Sequence, residues 1–387
     1  MNGKKIFWGF MLFLSVLEGI PAAAEAENAD GAYNQEVYKE QYDNSGAERL
    51  FEELPGEAKK SLEGMGVNGA DFNKIIDIKP EAVLENILAT AKKSLPAPLR
   101  AISMILAITL LNAILTALKI SIGEKSLAAT LGVVSTLCVC MIIVTPIVGF
   151  IGRVAAIIKG GAGFLFCYIP IMVGVMVASG QAISSVAFSS LMVTLGDVIT
   201  QLSANFLVPL LNMFLTVSVV CAISPRFNFS GLCGLFSKVT KWVLGFTMTI
   251  FSGILTTKSI IGAAADSVNS KTMKFVLSSF VPIVGSALGD AFLTVQGCVK
   301  ILKSGIGAFF IIAVGFIFLP AVVECIAWSF AINLCAVAGD IFELPNVSTL
   351  LKNIGKVVST LMAVVLCIMT ILIISTVLVL SIGGGGN

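Results

Sequence analysis

The chain contains no histidine. That removes the commonest metal ligand and the side chain that most often serves as a general base. Charged residues make up only 12% of its 387 positions, about half the share a soluble domain carries. The segment 25–95 has no cysteine, so no disulfide framework holds it together. The nine cysteines fall mostly in apolar runs, where the thiol acts as a small hydrophobe. Cys138 and Cys140 are two apart on a predicted helix and point to different faces. No metal or redox site is expected from them. There is no G-x-x-x-x-G-K-[ST] phosphate loop, no H-E-x-x-H and no G-x-S-x-G. A basic–aromatic patch suited to nucleic acid is also missing. These absences argue against an enzyme and against a bound cofactor.

What is present is hydrocarbon. From Leu99 to Ile382 the chain is almost continuously apolar, and mean hydropathy over the whole chain is +0.97. A helix needs roughly 20 apolar residues to cross a bilayer core. The expected fold class is therefore all-α, a polytopic transmembrane helical bundle. The spans expected are 99–118, 127–150, 162–180, 183–202, 203–224, 240–257, 276–298, 305–337 and 356–382, which makes roughly eight or nine crossings. Gly160-Gly161-Ala162-Gly163 reads as a flexible span boundary.

Three parts are expected along the chain. Residues 1–24 read as a cleavable signal peptide: Lys4 and Lys5, an apolar stretch Ile6 to Leu17, then Ala22-Ala23-Ala24. Residues 25–98 form an acidic extracytoplasmic segment, and 25–95 hold 15 Asp/Glu against 8 Lys/Arg. Its polar start, Glu25 to Asn44, is expected to be flexible. Helices are expected over 47–62, with Leu50, Phe51, Leu54, Ala58 and Leu62 near a 3.6 period and a break at Pro55-Gly56, and over 80–95, with Val83, Leu84, Ile87, Leu88 and Ala91 on one face. So small a segment is expected to lean on a partner or on the membrane domain. Residues 99–387 form that domain. Tyr168-Ile169-Pro170-Ile171 is echoed by Phe280-Val281-Pro282-Ile283, and Leu207-Val208-Pro209-Leu210 by Phe318-Leu319-Pro320-Ala321. This suggests an internal repeat, about 127–224 and 240–340, with helix breaks at Pro170, Pro209, Pro282 and Pro320.

Polar groups inside the apolar block are the candidate functional residues, because a charge at membrane depth costs several kcal/mol unless it meets water or a partner. Thr194, Asp197, Gln201, Asn205 and Asn212 share one helical face, and so do Ser279, Ser286, Asp290 and Thr294. Both stripes are expected to point inward, to a helix interface or an aqueous path. Gly285 and Gly289 form a G-x-x-x-G suited to close helix packing. Glu324 is the most conspicuous buried acid, open to a structural pairing or an ion path. Lys300 and Lys303 read as snorkelling residues.

Thr272-Met273-Lys274-Phe275, then Phe280-Val281-Pro282-Ile283-Val284-Gly285, Asp290 and Leu302-Lys303-Ser304-Gly305-Ile306-Gly307, resemble the stage III sporulation protein AE family. Ala178-Ser179-Gly180, Val208-Pro209-Leu210-Leu211 and Lys238-Val239-Thr240-Lys241 fit it too, as does the order of signal, short polar domain and many spans. The resemblance implies a multi-pass protein of the mother-cell membrane around the engulfed forespore. It implies as partners the other membrane proteins of the stage III A operon, their ATPase and a forespore-side partner across the intermembrane space. The function it implies is a subunit of the channel-like, secretion-like complex needed for endospore development. Two alternatives stay open: a stand-alone secondary transporter of a small solute or ion, and a non-conducting membrane scaffold.

Overall fold

The computed structural model describes residues 35–70, 75, 80–120, 125–223, 230–280 and 285–381. The expected signal peptide lies outside these residues. The ordered elements among them are helical: α1 Gln35–Ser45, α2 Glu48–Glu52, α3 Gly56–Gly64, α4 Pro80–Ser94, α5 Pro96–Ile120, α6 Lys125–Ala178 and α7 Ala182–Gln201, then a π-helical turn Leu202–Leu207, α8 Val208–Ile223, α9 Ser230–Phe280, α10 Gly285–Ile341 and α11 Pro345–Ser381. Among the described residues, six stretches are long and apolar enough to cross a membrane: Pro96–Leu115, Val133–Ala178, Ala182–Cys221, Gly234–Val268, Val295–Ile341 and Pro345–Ser381.

The long helices correct the expected division into spans. Segments 127–150 and 162–180 are one helix, α6. Segments 183–202 and 203–224 run on through the π turn without reversing. The glycine stretch 160–163 lies inside α6, and a Cβ at Gly161 would sit 2.8 Å from the Phe318 ring. Glycine there serves close helix packing rather than a boundary, so Gly161→Val is expected to lower the thermal midpoint of the detergent-solubilised protein. An unchanged midpoint would count against this contact.

The expected breaks at Pro170 and Pro320 are also corrected, since both prolines lie within continuous helices. A proline forfeits one backbone hydrogen bond, and a helix held between packed neighbours tolerates that. Pro209 does mark an irregularity. It follows the π turn, whose wider register relieves the clash a proline ring makes with the carbonyl four residues earlier. Pro282 lies outside the described residues.

Side-chain contacts give the helix directions. Gly339 faces Ser348, Gly355 faces Ile332 and Gly307 faces Leu380, so α10 and α11 are antiparallel. Phe164 stacks on Phe310, and Arg153 binds Glu324, so α6 is antiparallel to α10. Gly196 lies against Phe166, and Ser203 donates to the Ala155 carbonyl at 3.1 Å, so α6 and α7 form a hairpin. Ser237–Thr360 and Cys367–Leu244 contacts make α9 and α11 parallel. The bundle thus has a turn end, where α6 passes into α7, and a hairpin end, where α10 passes into α11. Along α10, Lys303 to Glu324 spans about 31 Å and Glu324 to Asp340 about 24 Å at 1.5 Å per residue.

The acidic N-terminal helices pack on the half of the bundle nearer the turn end. Leu50, Phe51, Leu54, Ala58 and Leu62 are all buried, as their spacing predicts. Phe51 meets Phe309 at 6.5 Å between ring centroids, and Pro55 touches Gly160. The segment leans on α6 and α10. Two readings are corrected here. Part of the stretch expected to be flexible is helical, with Tyr38 buried. On α4, Leu84 and Leu88 are 58% and 52% exposed, because only Val83, Ile87 and the residues beside them turn toward the bundle.

Candidate functional site: two polar layers in an apolar bundle

The first polar layer lies at the turn end. α6 stops in a Schellman arrangement: Gly180 takes φ +81°, the Gln181 N–H reaches the Met176 carbonyl at 2.8 Å, and the Gly180 N–H reaches that of Val177 at 3.0 Å. Glycine suits this left-handed position. α7 then begins with no cap from its own N-cap side chain. Asp266 of α9 supplies one across the bundle, its two carboxylate oxygens accepting the N–H groups of Ile183 and Ser184 at 2.9 Å each. An anion here also meets the positive end of the α7 dipole. Lys303 of α10 donates to Gln181 Oε1 at 2.8 Å, and Gln296 Nε2 to the Ser179 carbonyl at 3.1 Å. Lys303 is only 3% exposed, so it does not snorkel as expected: its ammonium finds polar partners inside the bundle. Asp266→Ala is expected to cost about 1–2 kcal/mol through loss of the cap, read as a lower thermal midpoint. A midpoint equal to the parent's would show that the cap carries no stability.

The second layer lies at mid-height. Glu324 forms an ion pair with Arg153. Their side chains are 14% and 54% exposed, so the acid sits inside and the guanidinium reaches outward. This is the structural pairing left open for Glu324. From there toward the hairpin end, Lys241 of α9 donates to Ser359 at 3.2 Å and Lys356 to Asn353 at 3.0 Å.

The stripe on α7 runs between the two layers and faces the other way. Thr194, Asp197, Gln201 and Asn205 are exposed, which corrects the expectation that they point into the bundle. The inward side of α7 is taken by Phe188, Met192, Leu195 and Ile199. Asn205 donates to Gln201 at 2.6 Å, and Thr194 to the Ser190 carbonyl at 2.8 Å. The side chains of Gly285, Ser286, Gly289 and Asp290 lie outside the described residues, so the second stripe and the G-x-x-x-G receive no geometry.

Between the two layers the interior is filled. Phe310 stacks on Tyr168 at 4.0 Å and on Phe164 at 5.4 Å, and Tyr168 meets Phe188 edge-on at 6.3 Å. A cavity of about 160 Å³ opens beside the π turn, lined by Leu202, Phe206, Leu207, Phe236, Val243 and Val364 among others. Its lining is apolar apart from Thr240. These layers can hold helices in register and present charge.

The sequence matches the family model for stage III sporulation protein AE over residues 70–383. The chain belongs to the stage III sporulation protein AE family. That stretch takes in every membrane-length helix and both polar layers. Over 144 residues the chain is 26% identical to the stage III sporulation protein AE of Bacillus subtilis (strain 168), covering 37% of this chain and 36% of that one. The match therefore spans about a third of that relative's length. No solved structure matches the chain. Family membership and the apolar helices together make this a membrane protein of sporulation.

Sequence reasoning missed Arg153 as the partner of Glu324, and it missed the roles of Asp266, Gln181 and Gln296. Asp266 carried a usable signal: it is an acid following Gly262-Ala263-Ala264-Ala265 in an apolar helix, the same kind of feature that singled out Glu324.

Proposed function

We propose that this chain is a multispan, non-enzymatic subunit of the complex that joins mother cell and forespore after engulfment, and that it is the permease-like component of that complex. Membership of the stage III sporulation protein AE family carries this reading. The acidic N-terminal helices stand in the space between the two membranes, where they meet a forespore-side partner. The other membrane proteins of the stage III A operon are its neighbours, and the operon's ATPase supplies energy. The single bundle suits a stand-alone transporter poorly. Of the two acids such a transporter would use, Glu324 is already tied to Arg153, and the side chain of Asp290 lies outside the described residues.

The test is a sporulating host deleted for this gene and complemented with the intact chain. The deletion strain is expected to engulf its forespore and then stop, with complementation restoring heat-resistant spores. Normal spore yield without the gene would overturn the reading.

A further inference from the structure

The outward face of the α6–α7 hairpin combines features suited to another helix. On α6, Gly152, Ala156, Lys159, Gly163 and Phe166 are exposed along one stripe. A Cβ at Gly152 or Gly163 would meet nothing within 4 Å, so this stripe is a shallow furrow open to another helix. Beside it on α7 runs the exposed stripe Ser190, Thr194, Asp197, Gln201 and Asn205. Both helices are apolar enough to lie in a membrane. By the contacts between Gly196 and Phe166 and between Ser203 and Ala155, Lys159 lies near the height of Gln201. That places it about one helical turn, about 6 Å, from Asp197 in height. These two opposite charges share one face, yet neither has an ion-pair partner among the described residues.

We propose that copies of this chain associate side by side through the α6–α7 face, with Asp197 of one copy pairing with Lys159 of the next. The proposal rests on reading the chain as a subunit of a membrane assembly. Copies inserted in one membrane are related by rotation about an axis along the bundle. Rotation preserves height, so each copy brings its own lysine to the level at which its neighbour needs a cation. Charge complementarity therefore selects a second copy as the occupant. The furrow at Gly152 and Gly163 lets the helices close, and the Thr194–Asn205 stripe is covered by the neighbouring copy. A polar path in such an assembly would run between copies, since the interior of each is filled by stacked rings.

Two differently tagged full-length copies, expressed together in a sporulating host, test this. A photo-crosslinking amino acid is placed at Val198 or Ala156, and at Met141 as a control elsewhere on α6. Irradiation is expected to yield a product carrying both tags from positions 198 and 156 but not from 141. Asp197→Lys should reduce that yield about fivefold, the effect of an interaction of roughly 1 kcal/mol. Combining Asp197→Lys with Lys159→Asp in the same chain should restore it. If Asp197→Lys fails to accumulate, Asp197→Asn serves, with a smaller reduction expected. Accumulation of all chains with no doubly tagged product would overturn the proposal, and equal product from position 141 would do the same. Crosslinking to a different operon protein instead would also overturn it, while leaving the subunit reading in place. A deletion strain that sporulates normally sinks the subunit reading alone, and a doubly tagged product then still supports self-association.

Discussion

Phe310→Ala is expected to be the most damaging truncation in the bundle, costing about 3–5 kcal/mol. Phe310 is fully buried on α10 and joins that helix to α6 through the rings of Tyr168 and Phe164. Removing it leaves a void between two helices more than fifty residues long. The rings around it are held by their own neighbours, so the void cannot easily collapse. The measurement is the level of protein in purified membranes, together with the thermal midpoint in detergent. Phe330→Ala, at a ring 67% exposed on the same helix, is the matched control and should stay within about 0.5 kcal/mol of the parent. Equal midpoints for the two variants would mean that the stack does not anchor α6 to α10.

Arg153→Glu ranks second. It sets a carboxylate against Glu324, whose side chain is largely enclosed. Opening a buried pair by removing one partner costs about 3–5 kcal/mol. Here the exposed guanidinium lowers that to about 2–3 kcal/mol, and like-charge repulsion adds to the loss. Arg153→Glu with Glu324→Arg should recover most of the accumulation, and Arg153→Ala with Glu324→Gln should recover part of it by removing the stranded charge. If the reversed pair is as unstable as the single variant, the contact is incidental. A milder effect of the opposite sign is expected in the hairpin between α10 and α11. Glu343 adopts φ +54° there, with its N–H on the Asp340 carbonyl at 3.2 Å and the Leu344 N–H on that of Gly339 at 2.9 Å. Glycine suits this backbone better, so Glu343→Gly should stabilise by about 0.5–1 kcal/mol. A lowered midpoint would contradict that account.

The parts legible in the sequence were those where one face is wet. Leu50, Phe51, Leu54, Ala58 and Leu62 separate cleanly from the acids around them, and the structure buries all five. In the membrane block that contrast disappears. A helix between lipid and protein is apolar on both sides, so the spacing of Asp197, Gln201 and Asn205 showed that they share a face but not which way it turns. Continuous apolar runs also hide where one crossing ends, and segments counted as separate proved to be halves of single helices. The partner of Glu324 was beyond local reading because Arg153 is 171 residues away. Lys303 was misread for a related reason: a long cationic side chain usually escapes to the interface, but here Gln181 from the α6–α7 turn meets it inside.

The most direct test of the subunit reading is affinity isolation of the tagged chain from membranes of sporulating cells just after engulfment, with the bound proteins identified by mass spectrometry. The account predicts that the other stage III A membrane proteins and their ATPase co-purify with it, and that a chain lacking residues 35–94 loses the forespore-side partner. Recovery of the chain in good yield without any of those proteins would contradict it.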